Sequence, residues 1–409
     1  MGQTVFVPKE GDAGETRVAA SPETVKRLAA LGFDVIVEAG AGRASRITDG
    51  DFQGAGAKIG KASDVARADV VLKVRRPTDT ETAGYKSGAL VIATMDPYQA
   101  NASLNRMAKA GLTTFAMEFM PRITRAQVMD VLSSQANLAG YRAVIDAAAE
   151  YDRALPMMMT AAGTVPAAKV FVMGAGVAGL QAIATARRLG AVVTATDVRP
   201  AAKEQVASLG AKFVAVEDEE FKAAETAGGY AKEMSKEYQA KQAALVADHI
   251  SKQDIVITTA LIPGRPAPKL VSAAMVASMK PGSVIVDLAV ERGGNVEGAV
   301  PGEIVTTEND VKIIGHLNVP GRVAASASLL YAKNLYAFLE TLIDKETKLL
   351  AINPEDELVK ATMLTHGGKV VHPNFQDAAV EAGAAAAKPT ATRKAPARKA
   401  ASARSGRKA

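Results

Sequence analysis

Short apolar runs alternate with amphipathic stretches from the first residues onward, and the two have different periods. Thr4–Val7, Phe33–Glu38, Val70–Val74, Leu90–Thr94 and Thr113–Glu118 are compact and rich in β-branched residues, so each reads as a strand. Between them, Glu23–Leu31 and Ala100–Ala110 carry apolar residues at helical spacing. Ser21 and Pro22 supply an N-cap and a first helical position, and Gly32 closes that helix. Asn137–Asp152 predicts a long helix leading into a second alternating region. That region runs through Lys169–Met173, Val192–Thr196, Val214, Ile255–Thr259, Val284–Leu288 and Ile313–Gly315. After Pro320, Val323–Ile343 predicts a long amphipathic helix that returns to the first region. Strands linked through helices predict parallel, doubly wound sheets. The expected fold is α/β: two doubly wound domains with mostly parallel sheets, separated by a cleft. Residues 1–137 with 321–378 would form a discontinuous first domain, 138–320 the second, and 379–409 a tail.

Charge changes this picture at one end. The chain of 409 residues has 49 Lys and Arg against 43 Asp and Glu, a net charge of +6. Lys388, Arg393, Lys394, Arg398, Lys399, Arg404, Arg407 and Lys408 lie in a final segment without any acid. Without that segment the charge is −2, so the body lacks the basic excess that nucleic-acid binding needs. The Ala, Lys, Arg and Pro composition of the tail predicts disorder and, as a contact, weak attraction to anionic lipid. With 0 Cys, disulfides, iron–sulfur ligation and thiolate catalysis are excluded. No His, Asp or Glu cluster has metal-ligand spacing, so no metal is expected. No apolar run approaches the roughly 20 residues of a membrane helix, and the first residues lack the apolar core of a signal peptide.

The densest chemistry lies in the second region. After the strand Lys169–Met173, Gly174, Gly176 and Gly179 stand at G-x-G-x-x-G spacing, followed by the helical run Leu180–Leu189. Gly190, the strand Val192–Thr196 and the terminal acid Asp197 complete the unit. Gly174 serves a tight turn, Gly176 admits a pyrophosphate to the backbone, and Gly179 permits close packing of helix on strand. The helix N-terminus offers N–H groups and positive dipole to phosphates. Asp197 is placed to accept ribose hydroxyls and repel a 2′-phosphate, which points to NAD(H). Arg199, two residues on, tempers that discrimination.

A second constellation lies in Met120–Tyr141. Arg122, Gln127, Asp130 and Ser133 are polar groups beside an apolar run, and Gln127, Asp130 and Ser133–Ser134 recur at spacing that predicts one shared helix face. Guanidinium, carboxamide and carboxylate together suit a carboxamide-bearing ring. They suit a capped surface helix with an Arg–Asp pair equally well.

Several longer segments carry a resemblance. MPRITRAQVMDVLSSQANLAGYRAVIDAAAEY, PMMMTAAGTVPAAKVFVMGAGVAGLQAIATARRLGA, ETAGGYAKEM, TTALIPGRPAP and GSVIVDLAVERGGN resemble the NAD(H)-binding α subunit of proton-translocating NAD(P) transhydrogenases, over about residues 1–378. The shared fold is that of alanine dehydrogenase, with two Rossmann-like domains. By that resemblance Arg122, Gln127 and Asp130 hold the nicotinamide end, with Ser133 nearby, and Gln127 orients the ring toward the partner nucleotide. Ala175, Gly176 and Val177 form the dinucleotide turn, and Asp197, Val198 and Arg199 contact the adenosine ribose. Gly228, Gly229 and Tyr230 fall on a loop that closes over nucleotide, and Gln242 and Leu261 supply further cofactor contacts. The resemblance also implies a homodimer and direct, Si/Re-specific hydride transfer from NADH to NADP(H) held by a β subunit. That transfer is coupled to proton movement in a separate membrane-spanning subunit. The chain would then sit at the cytoplasmic face of the inner membrane as a peripheral subunit.

Alanine dehydrogenase is the rival. Arg17 and Lys73 match positions that in that family grip the substrate carboxylate and act at its carbonyl. A His should follow the strand Leu90–Thr94, but the sequence there is MDPYQ. His249, His316, His366 and His372 all lie far from it in sequence, which leaves amination of a keto acid without its general acid–base.

Overall fold

The computed structural model describes residues 2–223, 234–262 and 264–376. Six strands open the chain: β1 Thr4–Val7, β2 Asp34–Glu38, β3 Lys58–Gly60, β4 Val70–Arg75, β5 Leu90–Thr94 and β6 Thr113–Ala116. A separate hairpin follows, β7 Met158–Thr160 with β8 Gly163–Val165. The second series is β9 Lys169–Met173, β10 Val192–Thr196, β11 Lys212–Phe213, β12 Ile255–Thr258, β13 Val284–Asp287, β14 Ile304–Thr306 and β15 Lys312–Ile314. β16 Met363–His366 and β17 Lys369–Val370 come last.

These strands build two large sheets with one underlying plan. The first has the order β17-β16-β6-β5-β4-β1-β2-β3, parallel from β6 to β3, with β16 and β17 added antiparallel. The second has the order β11-β10-β9-β12-β13-β15-β14, with β14 the antiparallel edge. Read along their parallel strands, both orders are 3-2-1-4-5-6, the doubly wound dinucleotide pattern. Each sheet therefore has a crevice at the carboxyl ends of its first and fourth strands, where the winding reverses. The α/β expectation of mostly parallel sheets in two domains is met.

Burial on both faces explains the unbroken apolar strands. In the first sheet, Val5, Val7, Val70 and Leu72 pack toward Leu335 and Phe338 of the helix Ala324–Thr341. On the other face, Phe6, Val71 and Val91 meet Leu104 and Met107 of the helix Asn101–Lys109. In the second sheet, Val170 and Val172 pack with Ala143, Val144, Ala182 and Ile183, and Phe171, Val256 and Ile285 with Val246 and Ile250. Helix Val131–Glu150 meets helix Val177–Arg188 so closely at Gly140 that a Cβ there would run into the backbone of Ala178. Tyr331, fully buried on the returning helix, accepts the Thr94 N–H at 3.0 Å and lies 3.1 Å from the Lys73 and Val74 carbonyls. It ties that helix to the ends of β4 and β5.

Two sequence expectations change. The strand expected over Thr113–Glu118 stops at Ala116, and Met117–Phe119 forms a 3-10 turn. The turn carries the Glu118 carboxylate to the backbone N–H of Met95, 2.9 Å away. The helix expected from Asn137 starts six residues earlier, at Val131, because Asp130 caps it.

Candidate functional site

The glycine turn sits at the crevice of the second sheet. β9 ends at Met173, and Gly174 takes φ +104, in the left-handed region that favours glycine. Thr259, following β12, donates its hydroxyl to the Gly174 carbonyl at 3.1 Å. A Cβ on Gly179 would strike that same carbonyl, which is the close helix–strand approach the spacing requires. A Cβ on Gly176 would meet nothing within 4 Å. The three glycines thus do different work: one turns, one packs, and one leaves room. Gly176 is also the N-cap of the Val177–Arg188 helix, and no side chain caps it. The free N–H groups of that end and the space over Gly176 make a cradle that fits a pyrophosphate.

Asp197 follows β10 and closes the same crevice. Its Oδ2 accepts the Ala175 N–H at 2.7 Å, and Oδ1 accepts the Arg199 N–H at 2.9 Å. The Arg199 guanidinium adds two bonds, Nε to Oδ1 at 2.9 Å and Nη2 to Oδ2 at 3.0 Å. Around the turn, Val177, Val198 and Leu261 are exposed apolar side chains, an arrangement suited to flat ring systems. Gln242 is a brace: its amide donates to Thr196 Oγ1 at 3.2 Å and accepts the Val216 N–H at 2.9 Å. Gly228, Gly229 and Tyr230 lie outside the described residues.

The second constellation is assembled differently from the expected single helix face. Thr124–Met129 is a 3-10 turn that carries Gln127, and Asp130 breaks from it with φ −74 and ψ 93 before Val131–Glu150 begins. The reason is capping: Asp130 accepts the Ser133 N–H at 2.8 Å and also takes the Ser133 hydroxyl, so its carboxylate competes with helix continuation. Gln127 and Arg122 are exposed, while Asp130 and Ser133 are half-buried. Three anchors hold the loop. Asn334 donates to the Val128 carbonyl at 2.8 Å and accepts from Ser134 at 2.7 Å, and Arg125 forks onto Asp356 at 2.8 and 3.0 Å. Gly140, which touches the glycine-turn helix, is ten residues further along, about 15 Å at helical rise.

The crevice of the first sheet is lined with ion-paired side chains, and Glu10, Glu15 and Arg17 border a cavity of about 430 Å³ there. Lys73 on β4 is 1% exposed and pairs with Glu81 at 2.6 Å and Glu10 at 3.3 Å. Arg17 binds Glu15 through two nitrogens, at 2.7 and 2.8 Å, and Gln135 at 2.8 Å. Arg75 adds a further bond to Glu15 at 2.8 Å. Burial alone raises Glu15, but the Arg17 and Arg75 guanidinium groups outweigh it and hold the carboxyl down at about 2. Burial pushes Glu10 upward against the attraction of Lys73. Both cations that resemble substrate-gripping groups are therefore neutralised from within the chain. Where the rival would place its His, Asp96 instead pairs with Arg292 at 2.7 Å. Among the described residues no cluster of acids and histidines is fit to hold a metal, and no helix is long and apolar enough to cross a membrane.

Comparison with known proteins now decides the family. Residues 6–139 match the family model described as alanine dehydrogenase/PNT, N-terminal domain, and residues 143–373 match its C-terminal domain counterpart. The chain belongs to the alanine dehydrogenase/PNT family. Over 376 residues it is 57% identical to the first part of the NAD(P) transhydrogenase subunit alpha of Rhodospirillum rubrum, covering 90% of this chain and 98% of that one. The structure of a transhydrogenase from Sinorhizobium meliloti superposes with a TM-score of 0.83 at 70% identity, over 90% of this chain and 100% of that chain. Alanine dehydrogenase of Mycobacterium tuberculosis is more distant, at 34% identity over 302 residues, covering 73% of this chain and 75% of that one.

Sequence reasoning missed the groups that pair with Arg17 and Lys73 in the first crevice and those that anchor the Gln127 loop. Glu10, Gln135 and Asn334 are buried polar side chains and Glu81 a half-buried one, in otherwise ordinary surroundings. The spacing of Glu15 and Arg17 in ETR was the one local signal for an internal pair.

Proposed function

We propose that this chain is the NAD(H)-holding portion of a transhydrogenase. The observation that carries the reading is the open Gly176 cradle beside Asp197, in a chain collinear with the first part of a transhydrogenase alpha subunit. Gly174, Ala175, Gly176, Val177 and Gly179 would hold the pyrophosphate, and Asp197, Val198 and Arg199 the adenosine ribose. Gln242 and Leu261 would line the nucleotide, with Gly229 and Tyr230 assigned by resemblance. Arg122, Gln127, Asp130 and Ser133 would hold the nicotinamide end.

Bound NADH supplies a hydride from its ring to NADP⁺ on a partner subunit. What the chain must provide is position, because transfer between two ring carbons needs approach to about 3–3.5 Å and exclusion of water. Asp130 fixes the loop by capping the Val131–Glu150 helix, Asn334 and Arg125 pin its middle, and exposed Gln127 is left to orient the ring carboxamide. No proton need be held at the reacting atoms, which accords with the absence of His from MDPYQ.

The domain division that fits this reading is 1–137 with 321–378, 138–320, and a tail from 379 to 409. A homodimer is supported by the hairpin β7–β8, where Met157, Met158 and Met159 are exposed in succession. An isolated two-stranded hairpin is marginal in water and gains stability against a second surface. The β subunit and a membrane-spanning subunit complete the assembly, which places this chain peripherally at the cytoplasmic face. Contact of the basic tail with anionic lipid would be weak and salt-sensitive.

The test is a titration with NADH and NADPH, then hydride transfer from NADH to an NADP⁺ analogue with and without a transhydrogenase NADP(H)-binding component. NADH binding, with turnover appearing on addition of that component, supports the proposal. Turnover of pyruvate and ammonia by the chain alone would overturn it in favour of amino-acid dehydrogenation.

A further inference from the structure

Packing holds the Gln127 loop through the buried side chains of Ala126 and Met129. Gln127 and Val128 between them are exposed, so the backbone there is set by the bond from Asn334 to the Val128 carbonyl at 2.8 Å. That bond is the end of a chain. Arg17 Nη1 donates to Gln135 Oε1 at 2.8 Å, Gln135 Nε2 donates to Ser134 Oγ at 3.2 Å, and Ser134 donates to Asn334 Oδ1 at 2.7 Å. The other acceptor for the Ser134 proton, the Val131 carbonyl, is farther away at 3.2 Å. Gln135 Nε2 also reaches the Ala327 carbonyl of the returning helix at 3.2 Å.

The chain runs one way. A guanidinium can only donate and a carbonyl can only accept, so each amide and hydroxyl between them is held in a single orientation. Arg17, Gln135 and Asn334 are buried, where successive bonds polarise one another and a broken link is costly. The head of the chain is fixed as well: Glu15 holds Nε and Nη2 of Arg17, and Arg75 holds Glu15. We propose that Gln135, anchored by Arg17, is a positioning residue for hydride transfer, through which the ion pairs of the first sheet fix the Gln127 loop. The proposal rests on reading that loop as the holder of the nicotinamide. Labour is then divided between the sheets. The glycine turn of the second sets how tightly NADH binds, and the ion pairs of the first set where its ring sits.

The experiment uses the full chain with a transhydrogenase NADP(H)-binding component. It records NADH affinity by nucleotide fluorescence, single-turnover hydride transfer to an NADP⁺ analogue, and thermal unfolding. Gln135→Glu keeps the acceptor for Arg17 but cannot donate onward, so the Ser134 proton turns back to it and Asn334 loses its donor. Hydride transfer should fall about tenfold, with NADH affinity within about twofold and no matching drop in the unfolding midpoint. Arg17→Lys leaves Glu15 a cation but loses the fork that also reaches Gln135, and should lower the rate similarly. Ser134→Ala should do the same, whereas Ser134→Thr, which keeps the hydroxyl, should restore the rate. In a Ser134→Ala background, Gln135→Glu should add less than about twofold, because the chain is already open. An unchanged rate in a folded Gln135→Glu, Arg17→Lys or Ser134→Ala chain overturns the proposal while the NADH-holding reading stands. So does a loss shared equally by Ser134→Ala and Ser134→Thr, or one that falls equally on NADH affinity. Failure of the wild-type chain to transfer hydride with the component present would overturn the reading beneath, and the proposal with it.

Discussion

The two large sheets follow the same 3-2-1-4-5-6 winding, yet their crevices are lined by different chemistry. Over β9 and β12, Gly176 and an uncapped helix end leave room at the backbone. Over β1 and β4, Lys73, Glu10, Glu81, Glu15, Arg17 and Arg75 occupy the corresponding place with their own ion pairs. A doubly wound sheet provides a location for ligands and leaves the decision to the side chains there. One crevice offers an uncapped helix end to an outside anion, and the other pairs its charges among themselves beside an open cavity.

The largest expected effect breaks the ion-paired crevice. Lys73→Met leaves Glu10 and Glu81 without their cation, and removing one member of a buried pair costs about 3–5 kcal/mol. Chemical denaturation should register that loss, while NADH affinity of the folded fraction stays within about twofold. A comparable loss of NADH affinity would show that the two crevices are not independent.

Acid should act on the same crevice. Glu15 has its folded value held at about 2 against an ordinary 4.5, so the native state binds fewer protons than the unfolded chain between those values. Its contribution is fully present above about pH 4.5 and is lost as pH falls toward about 2, by an amount of order 3 kcal/mol. Denaturation midpoints across that window should fall steeply for the wild type and less steeply for Glu15→Gln.

The open crevice should respond in binding and not in stability. Gly176→Ala adds a Cβ that meets no protein atom, so thermal unfolding should be unchanged while NADH affinity drops about tenfold or more. A stability loss with intact affinity would mean the space over Gly176 is not the phosphate cradle. The smallest effect is expected at Arg125, whose fork to Asp356 is largely exposed. Arg125→Ala should cost below about 1 kcal/mol of stability and lower hydride transfer more than NADH binding, if the fork positions the Gln127 loop.

What could be read in advance follows the same divide. Most parallel strands and the glycine turn were legible because two-face burial leaves unbroken apolar runs and because the turn needs glycine at fixed spacing. The parallel edge β3 and the antiparallel additions were not. β3, β14, β16 and β17 are two to four residues long, too short for a period to register. The ion-paired crevice was hidden for another reason: Glu10, Lys73 and Glu81 look like separate solvated charges until the fold brings them together. Asp130 defeated the helix-face reading because its side chain caps the helix that the spacing would have continued.

The late arrival of β16 has a consequence for how the chain is made. β16 pairs with β6, and the helix Ala324–Thr341 covers one face of the first sheet. The helix emerges from the ribosome about 210 residues after β6 and β16 about 250, on the order of 10–50 s at ordinary rates of synthesis. In that interval β6 is an open edge and one face of its sheet lacks its cover. The strands β9 to β15 are contiguous and can close without waiting. The nascent chain therefore completes its second sheet before its first, and nucleotide can select the partly made polypeptide while its opening residues still await their partner.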